Sequence, residues 1–186
     1  MGTKTEPRCR WADSSTAMAL YHDTEWGVPE HDAGALFERL VLESMQAGLS
    51  WSTVLAKRER MRERFFAFDA ERLAAVEPAT IDDWLQDAGL IRHRGKLEAM
   101  VINARIYRDW ANPVEVLWDF VGGEPVQHRW RHESDVPSTS EASEQMAKTL
   151  KKAGMRFVGP TTCYAFMQSV GMVNDHVVTC FRLSLI

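Results

Sequence analysis

Four side chains able to hold a metal lie near the two ends of the chain: Cys9 and His22 toward one, His176 and Cys180 toward the other. Two thiols and two imidazoles are the donor set of a closed, tetrahedral structural zinc. His176 and Cys180 are four positions apart, a spacing that on a helix puts both on one face. Cys9 and His22 are a looser pair, and two buried thiols beside two hydrogen-bonded histidines is the competing reading. With all four positions filled, such a site has no vacancy for a catalytic water. It would instead fasten ends that otherwise fray.

A second chemistry-bearing stretch runs from Ala35 to Trp51. Leu36, Phe37, Leu40 and Val41 recur at helical spacing and predict one buried face. Glu43 lies two turns along and can point to the same interior, where a carboxylate needs a partner. Gly48, Leu49, Ser50 and Trp51 follow as a turn, an apolar tip and an indole. A carboxylate beside such a turn suits a pocket for a flat, polar or cationic ligand. A surface glutamate on an amphipathic helix, with a core tryptophan after it, is the plainer alternative. Tyr21, His22 and Trp26 crowd a segment that Gly27 and Pro29 mark as a loop.

The third cluster is Arg92, His93, Arg94, Gly95 and Lys96, between a helix predicted over Ile81–Ala88 and another from Lys96 to Trp110. Cations at a helix start oppose the macrodipole, while the free N–H groups there accept an anion. Two helices joined this way suit a phosphate site, or an ordinary helical hairpin. Asp119 reads as a helix-surface carboxylate.

The elements around these residues read as helices throughout. Asp32 is positioned to cap the Glu43 helix and Gly48 to end it. A basic helix over Ser52–Arg64 follows, then a short one capped by Asp69. Thr80 is placed to cap the next, Pro113 to open another, Ser140 or Ser143 to cap one ending at Gly154, and Thr161 or Thr162 to cap a last one. Only six residues follow Cys180, too few for a further element, and strand patterns are nearly absent. The predicted class is all-α.

The 186 residues carry a net charge of −4, which argues against a strongly basic nucleic-acid coat but not against a local basic face. Three cysteines, an odd number, argue against a disulfide framework, as does the absence of a leader-like apolar run behind Met1–Arg8. No segment is apolar enough to span a bilayer, and these features together predict a cytoplasmic protein without a membrane partner.

At this point the residues resemble a known family. Arg8-Cys9-x-Trp11, Tyr21-His-Asp-x-Glu-Trp-Gly-Val-Pro29, Leu42-Glu-x-x-Gln-Ala-Gly-Leu-Ser-Trp51, Ile91-Arg-His-Arg-Gly-Lys96, and Phe157-Val-Gly through Met172-Val-Asn-Asp-His176 are similar to the blocks of the bacterial constitutive 3-methyladenine DNA glycosylase I family. The resemblance runs nearly end to end. It implies a helix-hairpin-helix glycosylase fold with zinc-pinned termini. A core of about 33–155 would be joined to a terminal subdomain of about 1–32 and 156–186, all one catalytic unit. It implies one structural zinc per chain on Cys9, His22, His176 and Cys180. Glu43 matches the family's base-contacting carboxylate; Tyr21, Trp26 and Trp51 match its base pocket; Gly48 and Leu49 match its wedge into the DNA. Arg92, Arg94, Gly95 and Lys96 would hold the backbone. The implied activity is flipping and hydrolytic excision of N3-methyladenine from double-stranded alkylated DNA by a monomer, without lyase action. The chain departs from the family pattern at Ser44-Met45, where Gly is more usual at the first position, and this touches the pocket wall.

Overall fold

A computed structural model describes residues 6–186. The part of the leader reading that rests on residues 1–5 lies outside them. Nine α-helices are seen among the described residues: α1 Thr16–Thr24, α2 Ala33–Gln46, α3 Trp51–Arg64, α4 Ala70–Ala74, α5 Pro78–Trp84, α6 Arg94–Arg108, α7 Pro113–Trp118, α8 Glu141–Lys152 and α9 Pro160–Ser169. Short 3-10 turns fill several connections. One departure from the all-helical expectation is a parallel pair of two-residue strands, β1 Val126–Gln127 and β2 Val173–Asn174.

Helix α2 is the axis of the core. Asp32 caps it as expected, its Oδ1 accepting from Ala35 N at 2.8 Å, a contact that contributes about 1 kcal/mol. The expectation of a single buried face is too modest: every residue from Leu36 to Met45 is buried. Leu36, Phe37, Leu40, Leu42 and Met45 pack into one apolar cluster with residues of α3, α6, α8 and α9. A helix enclosed on all sides must satisfy its polar members internally. Glu38 accepts from Arg58 and Arg62, Arg39 pairs with Glu25, and the Ser44 hydroxyl donates to the Leu40 carbonyl at 2.8 Å. Of these buried polar residues Glu43 alone borders the aromatic cavity described below.

Several predicted boundaries shift for identifiable reasons. Tyr21 and His22 sit on α1 rather than in a loop, because Ser15 caps that helix upstream of them. Pro78 opens α5 with Glu77 at its cap, displacing Thr80, and α5 stops at Trp84. A proline with its fixed φ is well suited to a first helical position. The same preference puts Pro160 at the start of α9 behind Gly159, displacing Thr161 and Thr162. Helix α6 begins at Arg94 because His93 caps it, its Nδ1 accepting from Lys96 N at 3.2 Å. His176 and Cys180 lie in an irregular segment after β2, and the chain still forms a 3-10 turn over Phe181–Ser184.

The two ends of the chain meet through backbone bonds. Gly27 N donates to the Gln168 carbonyl, Glu30 N to the Val170 carbonyl and Phe181 N to the Pro7 carbonyl. Gly171, at φ +71°, lies so close that an added Cβ would meet Gly27 O and Pro29 N at 2.5 Å. No other residue type fits that approach. A small apolar cluster of Cys9, Val177 and Cys180, with Trp11, Trp26, Trp130 and Phe181 around it, fills this junction. Among the described residues no helix is long and apolar enough to cross a membrane.

Candidate active site and metal centre

The four metal-capable side chains, two from each end, converge. Cys9, His22, His176 and Cys180 are all buried, and their donor atoms lie within 4.8 Å of one another. Cys180 Sγ is 3.4 Å from both His22 Nε2 and His176 Nδ1, and Cys9 Sγ is 3.6 Å from His176 Nδ1. The contact with Cys9, helped by both imidazoles, holds the Cys180 thiol far below its ordinary value. That contact and burial push the Cys9 thiol up. One thiolate is therefore already favoured at this spot, as metal binding requires. The surroundings also fit an ion. His22 Nδ1 is held by Asp23 Oδ1 at 2.8 Å, which leaves Nε2 facing the cluster. Asp23 is in turn fixed by Arg8, whose Nε and Nη2 both donate to its carboxylate. A carboxylate behind a histidine is the usual outer support of a zinc ligand.

Beside this centre is a cavity of about 410 Å³, large enough for a nucleobase. Its wall is aromatic: Trp11, Tyr21, Trp26 and Trp51 all line it. Tyr21 and Trp51 have ring centroids 5.1 Å apart at a 43° tilt. Trp11 meets Trp26 edge-on at 5.2 Å, and Trp26 meets the His176 ring at 4.6 Å. The Cys/His cluster therefore backs directly onto the pocket wall.

Glu43 enters this cavity from α2 and is only 5% exposed. Burial pushes its carboxyl up to about 8, against opposing pulls from Arg39 and the Ser169 hydroxyl. Arg39 lies one turn before Glu43 and also stands 5.3 Å from the centre of the Tyr21 ring. The Tyr21 hydroxyl and the Trp51 indole N–H are buried without a hydrogen-bond partner among the described residues. Two such donors beside a carboxylate suit a flat, polar ligand.

Sequence reasoning did not single out Gln168, Asp175 or Arg39. Asp175 is 2% exposed and accepts from Trp130 Nε1, the Tyr164 hydroxyl and Gln168 Nε2 at 2.7–2.8 Å, and pairs with His128 Nδ1 at 2.7 Å. It braces one wall of the pocket. Its position beside His176 was the available signal. For Arg39 the signal was its spacing of one helical turn from Glu43.

Leu49 is at the tip of the α2–α3 turn and is 40% exposed, beyond a Gly48 held at φ +75°. Ser50 caps α3, and Trp51 is that helix's first residue. The cations of the α5–α6 connection are placed less simply than expected. Arg92 is exposed. Arg94 is ion-paired to Asp82 and approaches Glu98 at 3.8 Å. Lys96 is buried, its ammonium donating to the Met45 and Ala47 carbonyls. Gly95 packs beside the His93 ring. Asp119 is exposed at the end of α7 and does not border the aromatic pocket.

An aromatic slot with the buried acids Glu43 and Asp175 in its wall, set in a helical fold beside a thiol–imidazole cluster, suits a protein that binds a flat base. Residues 11–183 match the methyladenine glycosylase family, and the chain belongs to that family. It is 46% identical over 177 residues to DNA-3-methyladenine glycosylase 1 of Escherichia coli, covering 93% of this chain and 95% of that one. A DNA-3-methyladenine glycosylase of Haemophilus influenzae is likewise 46% identical, over 93% and 96%. Among solved structures, a 3-methyladenine DNA glycosylase I superposes with a TM-score of 0.92 at 45% identity, covering 94% of this chain and 98% of that one. A variant of such an enzyme in complex with 3-methyladenine superposes at 0.89 with 34% identity, over 94% and 96%.

Proposed function

We propose that this chain excises N3-methyladenine from double-stranded alkylated DNA by hydrolysing the N-glycosidic bond, with no lyase step. The carrying observation is the buried Glu43 carboxyl facing the Tyr21–Trp51 aromatic slot. Alkylation at N3 places a positive charge on the ring and weakens the glycosidic bond before the enzyme acts. The protein's task is then selection. The base leaves the stack to reach the cavity. A cationic ring over Tyr21 and Trp51 gains about 0.5–2 kcal/mol from their quadrupoles. An ionised Glu43 accepts from the exocyclic amine and offsets the ring charge. Neutral adenine gains less from both. Trp26 closes the slot, and Leu49 on its Gly48 turn fills the gap left in the duplex.

The α5–α6 connection is read as a helix-hairpin-helix phosphate site, with Gly95 admitting the backbone and Arg92 and Arg94 adding charge. Lys96 acts there through its hold on the end of α2. Cys9, His22, His176 and Cys180 would hold one structural zinc per chain, whose binding would fasten the segments 1–32 and 156–186 to each other as a terminal subdomain beside the 33–155 core, all one catalytic unit. The protein works as a cytoplasmic monomer with DNA as its partner.

The test is product identification. Duplex DNA carrying N3-methyladenine, incubated with the chain, is predicted to yield free 3-methyladenine and an unbroken abasic strand. Tight binding without base release would make it a lesion-binding protein instead. A zinc-dependent hydrolase using Glu43 as its base would lose activity on chelation while staying folded.

A further inference from the structure

The expected cations of the α5–α6 connection are largely committed within the fold, Arg94 to Asp82 and Lys96 to carbonyl oxygens. Arg92 is exposed there without an ion pair among the described residues, and further free positive charge lies elsewhere. A second cleft, about 390 Å³, is lined by Arg8, Arg10, Arg131, Glu133 and Thr179, among others. It adjoins the base cavity, since Glu133 lines both. Arg8 is spent on Asp23. The cleft's glutamate is held by the backbone, its Oε1 accepting from the N–H groups of Arg10 and Trp11, and leaves one negative charge against two arginines without an ion pair. The Arg10 and Arg131 guanidinium groups are left exposed, with no carboxylate within 4 Å among the described residues. That is a local cationic excess on a chain of net charge −4.

The cleft is also rigid. Three separate segments are stitched together at it: Phe181 N donates to Pro7 O at 2.9 Å, Val178 N to Trp130 O at 2.9 Å, and Arg10 N to Glu133. Arginines on a braced backbone and without an ion pair are free to take an anion, and their forked donors match a phosphate. The adjoining cavity wall carries Glu133, Val136 and Pro137, whereas Gln46 and Trp51 come from the wedge side. A nucleotide drawn into the pocket brings its own flanking phosphates to the rim.

We propose that this cleft receives a backbone phosphate next to the extruded nucleotide, with Arg10 and Arg131 as its arms. The proposal rests on the glycosylase reading and adds a clamp separate from the α5–α6 connection. Its role is positioning without sequence readout.

The experiment measures binding to a duplex carrying a tetrahydrofuran abasic analogue, by anisotropy, from about 50 to about 200 mM KCl. The unaltered chain is compared with Arg10→Gln, Arg131→Gln, the double variant and Arg131→Lys. Free 3-methyladenine binding, read by tryptophan fluorescence, is followed in parallel. Each glutamine variant is expected to weaken duplex binding about 3- to 10-fold and to flatten the log–log salt slope by about 0.9 per lost phosphate contact. Free-base binding stays unchanged, and Arg131→Lys keeps most of the slope. An unchanged slope and affinity in the double variant would overturn the proposal. So would parallel loss of free-base and duplex binding that lysine does not restore, which marks a folding role. If the unaltered chain binds free base but no duplex, the glycosylase reading falls and takes this one with it.

Discussion

The Lys96 ammonium donates to the Ala47 carbonyl at 2.6 Å, so a side chain from the first turn of α6 closes the end of α2. It also donates to Met45 O at 2.8 Å. The last carbonyls of a helix have no internal partner, and a cation there also answers the macrodipole. The bond ties the α5–α6 connection to the turn that carries Leu49. Lys96→Met should therefore destabilise the fold by about 1–3 kcal/mol, the cost of leaving buried carbonyls unpaired. Arg94→Gln, on an exposed ion pair, should leave the denaturant midpoint unchanged. Equal midpoints for Lys96→Met and the unaltered chain would contradict the assignment.

Glu43 makes the apo fold pH-dependent. Its carboxyl has an ordinary value of 4.5 and is raised to about 8 in the fold. Below pH 4.5 both states are protonated and the group is neutral in effect. Between those values the unfolded chain ionises first, so stability declines as pH rises, at up to about 1.4 kcal/mol per unit. Glu43→Gln should equal the unaltered chain near pH 4 and exceed it by a few kcal/mol at pH 8. A stability difference that does not change with pH would contradict this. In catalysis the acid limb of kcat/KM should lie near 8, and that of kcat lower, because a bound cation favours the carboxylate.

Fold and site were legible to different depths. Asp32 and Ser140 show in sequence as helix caps because capping is a local transaction between a side chain and the next turn. The metal set was visible in residue type, although the helix invoked to join His176 and Cys180 is absent. An irregular turn brings them equally close. Lys96 looked like a phosphate ligand because a cation at a helix start lacks a local partner. In the fold its ammonium donates to carbonyls at the end of α2, 49 and 51 positions away in the chain, and no local pattern reports them. The same holds for Asp175, whose four partners are contributed by α9 and by the loop after β1.

One zinc per chain is expected by elemental analysis. Chelation should lower the melting temperature by about 10 °C or more, since the binding energy of a structural ion is folding energy. Asp23→Asn leaves all four ligands in place but frees the His22 ring, and should weaken metal binding about 10- to 100-fold. Full melting temperature after complete metal removal would contradict a structural centre.

Leu49 is exposed and contributes little to the core, so Leu49→Ala should leave melting unchanged. If it fills the vacated stack, the variant should bind lesion duplex about 10-fold more weakly while binding free 3-methyladenine normally. Equal loss for both ligands would place Leu49 in the pocket rather than in the DNA.

The central claim, that an ionised Glu43 recognises a cationic base in the Tyr21–Trp51 slot, is tested most directly by single-turnover base release. The rate from N3-methyladenine duplex at saturating protein is compared for the unaltered chain and Glu43→Gln, with metal content matched and both proteins fully folded at the assay temperature. A loss of about 10²-fold in the variant is predicted, the scale of removing one preorganised electrostatic partner. Equal rates for the two would show that the carboxylate takes no part in recognition.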